Sequence, residues 1–349
     1  MKETVERFPE NPLLTPADVR PSREDMIVEC LLNPGVFRFK GRTGLLLRVA
    51  ERPKQEENWV STPLLDPQSE GGIRILRIRK DDPDLKCTDP RMFDYKGQSY
   101  LSTLSHLRLA WSDGGVHFTP EEHPTLSGEG SHEAFGMEDC RVEFIDGAYW
   151  LTYTAVSEFG VAVGLISTTD WRNFTRHGVI FPPHNKDCAL FPEKINGYYH
   201  ALHRPSGGAP GGNFIWISRS TNLLLWGDHR CVAMTRRDGW DSERIGAGAA
   251  PIRTPKGWLE IYHGADAATH RYCLGALLLD LDDPARVLAR SREPIMQPHA
   301  EYERKGFVGN VVFTNGQIVD GDRITMYYGS SDSVICGTRA SVTAILDSL

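Results

Sequence analysis

Short β-hairpins recur along the chain, each formed by a glycine-containing turn and a following strand rich in aromatic and β-branched residues. The clearest turns are Asp146-Gly147 and Asn196-Gly197, which precede strand patterns over 149–154 and 198–204. Asp-Gly and Asn-Gly favour hairpins because both central turn positions take positive φ. Four further copies of the pattern place a glycine after Lys40, Lys96, Lys256 and Asp320.

A second recurring element is a strand that reaches a serine and returns through an aromatic strand. Ser112, Ser167 and Ser218 mark it, at about the spacing of one propeller blade. The best helical pattern covers only residues 342–349. These features predict an all-β protein, with one β-propeller domain over 29–349 after an N-terminal extension of residues 1–28. Six hairpins predict six blades, or five if the first and last hairpins share one blade.

Composition and charge narrow the function. The 349 residues carry a net charge of -7, which argues against nucleic acid or an anionic membrane as a partner. No apolar run approaches the roughly 20 residues that span a bilayer, and residues 1–8 lack the apolar core of a signal peptide. The seven cysteines show no paired short spacing, so we expect reduced thiols, no metal site and a cytoplasmic location.

A charged cluster opens the strand pattern that leads into the Asp146-Gly147 turn. Glu138, Asp139 and Arg141 stand where a half-buried strand begins, so their charges must be paired or used in chemistry. The simplest interpretation is a structural salt bridge between Asp139 and Arg141. In a propeller, however, the ends of the inner strands face one shared pocket, and four more polar residues are predicted at such ends: Arg48, Arg204, His263 and Asp332. The convergence of so many polar residues on one pocket favours a functional site over a structural salt bridge.

Several segments of the chain resemble glycoside hydrolase family 130, the family of β-mannoside phosphorylases and β-1,2-mannosidases. The resemblance runs in the family's order from about residue 11 onward, and its main segments are 33–36 (NPGV), 137–141 (MEDCR), 190–197 (LFPEKING), 202–206 (LHRPS) and 257–264 (GWLEIYHG). It implies a five-bladed β-propeller and a reaction that inverts the anomeric carbon of mannose. No cofactor is implied.

The resemblance also implies roles for individual residues. Asp139 corresponds to the proton donor, which acts through a hydroxyl of the substrate sugar, and a pKa raised by burial would suit that role. Asp332 and Asn33 correspond to residues that hold the mannose, with Arg91 and Arg141 orienting this subsite. The positions that correspond to phosphate ligands all hold suitable side chains: Arg48, Lys186, Arg204, His263 and Tyr272.

The nucleophile separates a phosphorylase from a hydrolase. A hydrolase needs a carboxylate base that activates water, for which Glu260, Glu301 and Glu303 are candidates. Glu260 and His263 are three residues apart, so they point to opposite faces of a regular strand unless it ends or bulges between them. A complete set of phosphate-binding side chains has no use in a hydrolase. We therefore expect phosphorolysis, with inorganic phosphate as co-substrate.

The expected substrate and partners follow from the family resemblance and from the expected phosphorolysis. The resemblance favours β-1,2-mannobiose or short β-1,2-mannooligosaccharides, and β-1,4-mannosides remain an alternative. A lesser alternative is a non-catalytic carbohydrate-binding propeller, which would need aromatic platforms but no desolvated aspartate or basic cluster. Mannoside and phosphate are the expected partners, and assembly into a homo-oligomer is left open.

Overall fold

The computed structural model describes residues 4–89, 91–208 and 210–349, and nearly all of its regular structure is β. The described strands form five main antiparallel sheets, which follow one another along the chain. Sheet I contains Met26–Phe39, Arg42–Pro53, Leu104–Ser112 and Thr119–Pro120; sheet II contains Met137–Ile145, Ala148–Ser157, Gly160–Thr168 and Phe174–Phe181; sheet III contains Asn185–Leu190, Tyr199–Pro205, Ile215–Ser220 and Trp226–Ala233. Sheet IV contains Arg244–Ala247, Gly257–Ala265, Tyr272–Leu279 and Val287–Arg290, with the short strand Ile252–Thr254 beside Gly257–Ala265; sheet V contains Val312–Asp320, Arg323–Ser330, Val334–Ser341 and Val5–Arg7.

The predicted hairpin turns join the strands as expected. Asp146 and Gly147 have φ values of 50° and 85°, and Asn196 and Gly197 have values of 51° and 83°. At the last hairpin the turn lies one residue later than predicted, because Asp320 pairs with Arg323 as the end of its strand. Ser112, Ser167 and Ser218 all lie on the third strands of their sheets, which confirms the serine repeat.

A two-part insertion explains the ambiguous hairpin count. Between the second and third strands of sheet I, the chain forms the hairpin Trp59–Leu65 with Ile73–Arg79 and the small sheet Leu85–Asp89, Met92–Tyr95 and Gln98–Leu101. The turn at Lys96-Gly97 belongs to this insertion. The other five glycine turns lie one in each main sheet, so the suggestion that the first and last hairpins share a sheet is wrong.

Helices are few and short. The α-helices are Glu301–Arg304 and Val342–Asp347, and the 3-10 helices are Pro16–Asp18, Glu70–Gly72 and Ser131–Glu133. The second α-helix confirms the predicted helical end of the chain, and the Ser341 hydroxyl caps it by accepting a hydrogen bond from the Ala344 amide. No helix in the described ranges is long and apolar enough to cross a membrane.

The hydrophobic core consists of clusters between neighbouring sheets. Separate clusters join I to II, II to III, III to IV and IV to V. A further cluster joins sheet V back to sheet I, where the Tyr327 ring packs edge-on against Phe118 with centroids 5.4 Å apart. Apolar burial of this kind, at about 25 cal/mol per Å², is the main force that holds the sheets together.

The N-terminal segment is part of this packing. Val5–Arg7 pairs with residues 338–340 as the fourth strand of sheet V, and Phe8, Leu14 and Val19 are buried in the cluster between sheets V and I. The boundary predicted at residue 28 therefore does not separate an extension from the sheets. The strand is further fixed by Arg7, whose Nε lies 2.7 Å from Glu303 Oε1.

Replacing Arg7 by alanine should destabilise the fold. The change leaves the buried Glu303 carboxylate with its backbone and Tyr328 partners but without its cation, which we expect to cost about 1–3 kcal/mol. Urea unfolding followed by circular dichroism measures the shift. Arg20→Ala is the matched control, because Arg20 and Glu122 form an ion pair in which both side chains are exposed. Equal midpoints for the two variants would contradict a structural role for the Arg7 pair.

Candidate active site

Irregularities in the first strands place polar side chains in one cavity. The pairing register shifts between Glu138 and Arg141 in sheet II and between Lys186 and Ala189 in sheet III. Similar shifts interrupt the first strands of sheets I and V. At the two shifts in sheets II and III, Asp139 and Asp187 have φ values of 50° and 53°. A β-bulge re-aims the side chain at the irregular position, and here both aspartates line the cavity.

The cavity has a volume of about 280 Å³ and a mixed lining. Its charged residues are the cations Arg48, Arg91, Lys186, Arg204 and Arg244 and the anions Glu138, Asp139, Asp187 and Asp332. Its remaining walls include the apolar side chains of Leu32, Leu101, Phe307, Val308, Val311 and Phe313. A concave cavity with apolar walls and convergent polar groups is the usual form of a small-molecule site.

Asp139 is held by cations from two other strands. The side chain is 4% exposed, and its Oδ1 accepts hydrogen bonds from Arg48 Nη1 at 3.0 Å and Asn33 Nδ2 at 3.1 Å. Lys186 Nζ lies 3.8 Å from Oδ2. Burial by itself would raise the pKa of Asp139, but the charges of Arg48 and Lys186 outweigh it and the pKa is lowered. The raised pKa expected from the sequence is wrong for this arrangement.

Arg141 does not pair with the Asp139 carboxylate as the simplest sequence interpretation predicted. Its guanidinium instead binds backbone carbonyls: those of Gly248 and Ala247 at 2.7 Å each and that of Asp139 at 3.1 Å. Arg141 is absent from the cavity lining, so it fixes the irregular strand of sheet II against sheet IV from outside the cavity.

Four of the five predicted phosphate ligands line the cavity: Arg48, Lys186, Arg204 and Tyr272. His263 is fully buried outside the lining, and its Nε2 lies 3.3 Å from Arg204 Nη1 and 3.3 Å from Asp187 Oδ2. Burial lowers the pKa of His263 to about 4, so the ring is neutral at pH 7. It contacts two of the phosphate candidates from outside the cavity: Arg204 through Nε2, and Tyr272 by ring stacking with centroids 6.3 Å apart.

Arg48, Arg204 and His263 lie on the second strands of their sheets, whereas the sequence predicted them at the ends of inner strands. Arg48 is paired with Leu32, Arg204 with Lys186 and His263 with Gly246, each on the first strand of the same sheet. The first strands are interrupted at or next to these positions in sheets I and III, so long side chains from the second strands reach the cavity.

The predicted mannose-binding residues Asn33, Arg91 and Asp332 also line the cavity. Asp332 lies in the turn between the second and third strands of sheet V with a φ of 49°, and burial raises its pKa to about 6. Arg91 comes from the insertion and pairs with Asp89 at 2.6 Å.

The three candidate bases lie outside the cavity lining. Glu260 is fully buried, and its Oε1 accepts a hydrogen bond from the Gly248 amide at 2.9 Å. The Glu301 side chain is 74% exposed and pairs with Lys305. Glu303 is held by Arg7, by the Tyr328 hydroxyl and by two backbone amides. Their positions give none of the three a direct path to water in the cavity.

Asp187 and Arg244 line the cavity although no site role was predicted for them, and Glu138 lines it as a member of the charged cluster that the sequence predicted. A repeat could have identified Asp187, because Lys186-Asp187-Cys188 stands in sheet III where Glu138-Asp139-Cys140 stands in sheet II. In both segments the aspartate is irregular and the cysteine is buried. No pattern in the sequence distinguishes Arg244.

Glu260→Gln tests whether Glu260 is charged. Burial raises its pKa from 4.5 to about 8, so the folded protein holds a proton that the unfolded chain releases above 4.5. The Glu260 contribution should therefore reduce stability as the pH rises from about 4.5 to about 8. The variant should lack this component of the pH dependence in thermal unfolding, and its activity at pH 7 should change little. A loss of activity of 100-fold or more in a folded variant would instead restore Glu260 as a catalytic base.

Cations that surround an acid in the cavity of a repeated-sheet β protein can bind an anion next to that acid. Comparison with known proteins agrees. Residues 80–349 match the family described as β-1,4-mannooligosaccharide phosphorylase, and the chain belongs to this family, glycoside hydrolase family 130.

Two relatives and one solved structure make the similarity specific. The chain is 45% identical to the β-1,2-mannobiose phosphorylase of Listeria innocua, over 99% of this chain and 98% of that protein. It is 40% identical to a 1,2-β-oligomannan phosphorylase of a Thermoanaerobacter species, over 68% of this chain and 78% of the relative. The structure of the Listeria innocua enzyme with β-1,2-mannobiose superposes with a TM-score of 0.95 at 44% identity, covering 100% of this chain and 99% of that one.

Proposed function

We propose that this protein is an inverting phosphorylase that converts β-1,2-mannobiose, or short β-1,2-mannooligosaccharides, and inorganic phosphate into α-mannose 1-phosphate and the shortened sugar. The observation that carries the proposal is the cavity itself, where Asp139 stands among Arg48, Lys186 and Arg204 while the candidate bases lie elsewhere. The 45% identity to a β-1,2-mannobiose phosphorylase supports the choice of linkage.

The five main sheets form, in this proposal, the blades of a five-bladed β-propeller. Core clusters join each sheet to the next and sheet V to sheet I, as a closed ring requires. The strand Val5–Arg7 then completes the last blade. Closure protects the edges of the sheets and brings the loops of all blades to one central site.

Phosphate would bind beside Asp139. A phosphate dianion leaves water only where charge-assisted hydrogen bonds replace its hydration, and Arg48, Lys186 and Arg204 supply donors for it. The two charges of the anion would also oppose the effect of these cations on Asp139. Phosphate binding therefore raises the pKa of Asp139 and favours the protonated form that a proton donor requires.

Asp139 would then protonate the leaving sugar through a hydroxyl of the substrate. Phosphate attacks the anomeric carbon from the opposite side, the glycosidic bond breaks, and the proton from Asp139 passes to the leaving oxygen. Asp332 and Asn33 are proposed to hold the mannose hydroxyls, and Arg91 closes the subsite from the insertion. The apolar wall at Phe307 and Phe313 suits the carbon faces of a sugar ring.

The first test is product analysis with β-1,2-mannobiose in the presence and absence of phosphate. We expect mannose 1-phosphate to form only when phosphate is present, and chromatography with proton NMR identifies it and its α configuration. Release of two mannose molecules at the same rate without phosphate would show a hydrolase. β-1,4-Mannobiose, assayed in parallel, tests the linkage.

Asp139→Asn should lower kcat by about 10²–10⁴-fold, because the amide cannot donate the proton. Binding of β-1,2-mannobiose should survive, as measured by calorimetry. Asp113→Asn is the control, since the Asp113 carboxylate is exposed on the surface and pairs with Arg42. Full activity in the Asp139 variant would contradict its role as the proton donor. If the wild-type protein turned over no mannoside at all, a non-catalytic carbohydrate-binding propeller would be favoured instead.

A further inference from the structure

Asp187 is a buried carboxylate in the cavity to which the proposed reaction gives no role. It is 1% exposed, and it contacts basic side chains from three sheets. Its Oδ2 lies 2.7 Å from Nη1 of Arg204, on sheet III, and 3.3 Å from Nε2 of His263, on sheet IV. Its Oδ1 lies 3.5 Å from Nη2 of Arg141, on sheet II.

The contact with Arg204 determines where that guanidinium can point. Nη1 of Arg204 is taken up by Asp187 and His263, whereas Nη2 makes no hydrogen bond to the described residues. A guanidinium is planar and rigid, so fixing one of its nitrogens also fixes the direction of the others. Arg204 lines the cavity and its Nε is buried, which leaves Nη2 as the donor for a phosphate bound there.

We propose that Asp187 is a positioning residue, which acts by holding Arg204 in the orientation that binds phosphate. This inference rests on the proposed function. His263 supports the same arrangement from outside the cavity, and its neutral ring adds no charge that would release Asp187 from Arg204. The guanidinium of Arg204 holds the pKa of Asp187 well below its usual range despite burial, so the carboxylate stays charged at neutral pH.

Electrostatic repulsion alone predicts that removing the charge of Asp187 changes the affinity for phosphate in the opposite direction. A carboxylate near a phosphate dianion repels it, so removing the charge of Asp187 should strengthen phosphate binding if charge were the only factor. If Asp187 acts by orienting Arg204, removing its charge should weaken phosphate binding. The sign of the change therefore separates positioning from a simple effect of charge.

A second buried aspartate provides the matched control. Asp241 is 0% exposed, pairs with Arg236 at 2.9 Å and with Arg290, and accepts a hydrogen bond from the Tyr262 hydroxyl at 2.8 Å. It is absent from the cavity lining. Asp241→Asn therefore reports what the loss of a buried, paired carboxylate does to the fold without changing the site.

The experiment compares Asp187→Asn with Asp241→Asn. We expect the Asp187 variant to raise the KM for phosphate about tenfold while kcat at saturating phosphate falls less than threefold, the loss expected for one weakened charge-assisted contact. Calorimetric titration of inorganic phosphate into the protein without mannoside should show the same loss of affinity. The Asp241 variant should lose thermal stability and keep the wild-type KM. An unchanged or lower KM in the Asp187 variant overturns the inference.

A double-mutant cycle tests whether Asp187 acts through Arg204. Once Arg204→Ala has removed the guanidinium, adding Asp187→Asn should not raise the KM for phosphate further, whereas in a Lys186→Ala background its effect should persist. Independent, multiplicative effects of Asp187→Asn and Arg204→Ala would overturn the inference.

Arg204→Lys tests the same point with Asp187 intact, and it serves if Asp187→Asn does not fold. The ammonium of lysine lacks the rigid planar fork of a guanidinium, so its contact with Asp187 does not aim a second donor nitrogen at phosphate, and we expect a KM close to that of Arg204→Ala. A KM close to wild type overturns the inference. A wild-type protein that neither uses nor binds phosphate refutes the proposed function itself, whereas a phosphorylase insensitive to these changes refutes only the role of Asp187.

Discussion

The ion pair between Asp139 and Arg48 is the contact on which the site depends. It joins the irregular first strand of sheet II to the second strand of sheet I, and both side chains are largely removed from water. Charges in such a setting are stable only when they are paired, because desolvation of an isolated charge costs several kcal/mol. Several further charges in the cavity are likewise paired with an opposite one, as Glu138 is with Arg48 and Asp187 with Arg204.

The same pairing sets the chemistry. Cations that keep Asp139 ionised are the groups that an incoming phosphate would engage, so one set of side chains serves first the acid and then the anion. Arg141 supports this arrangement by binding three backbone carbonyls from sheets II and IV, which keeps the irregular segment around Asp139 in place. Rigid support of this kind is what holds a reacting group within the narrow range of productive geometries.

Much of this could be predicted from the sequence, because repeated hairpins and Asp-Gly turns are local signals. The all-β class, the C-terminal helix and the cavity positions of Asp139, Arg48 and Asp332 followed from such patterns and from the family resemblance. The remainder depends on contacts between distant segments. The insertion made the hairpin count ambiguous, burial removed His263 and Glu260 from the cavity, and neighbouring cations reversed the pKa shift of Asp139, none of which a local pattern records.

The position of Val5–Arg7 has a consequence for how the protein forms. This strand pairs with residues 338–340, so it leaves the ribosome long before its partner has been made. Until then Val5–Arg7 has no partner strand and the cluster between sheets V and I is incomplete. Contacts of such long sequence separation slow folding, and the nascent chain exposes an unpaired edge throughout synthesis. The pairing that stabilises the finished molecule thus also delays the completion of sheet V.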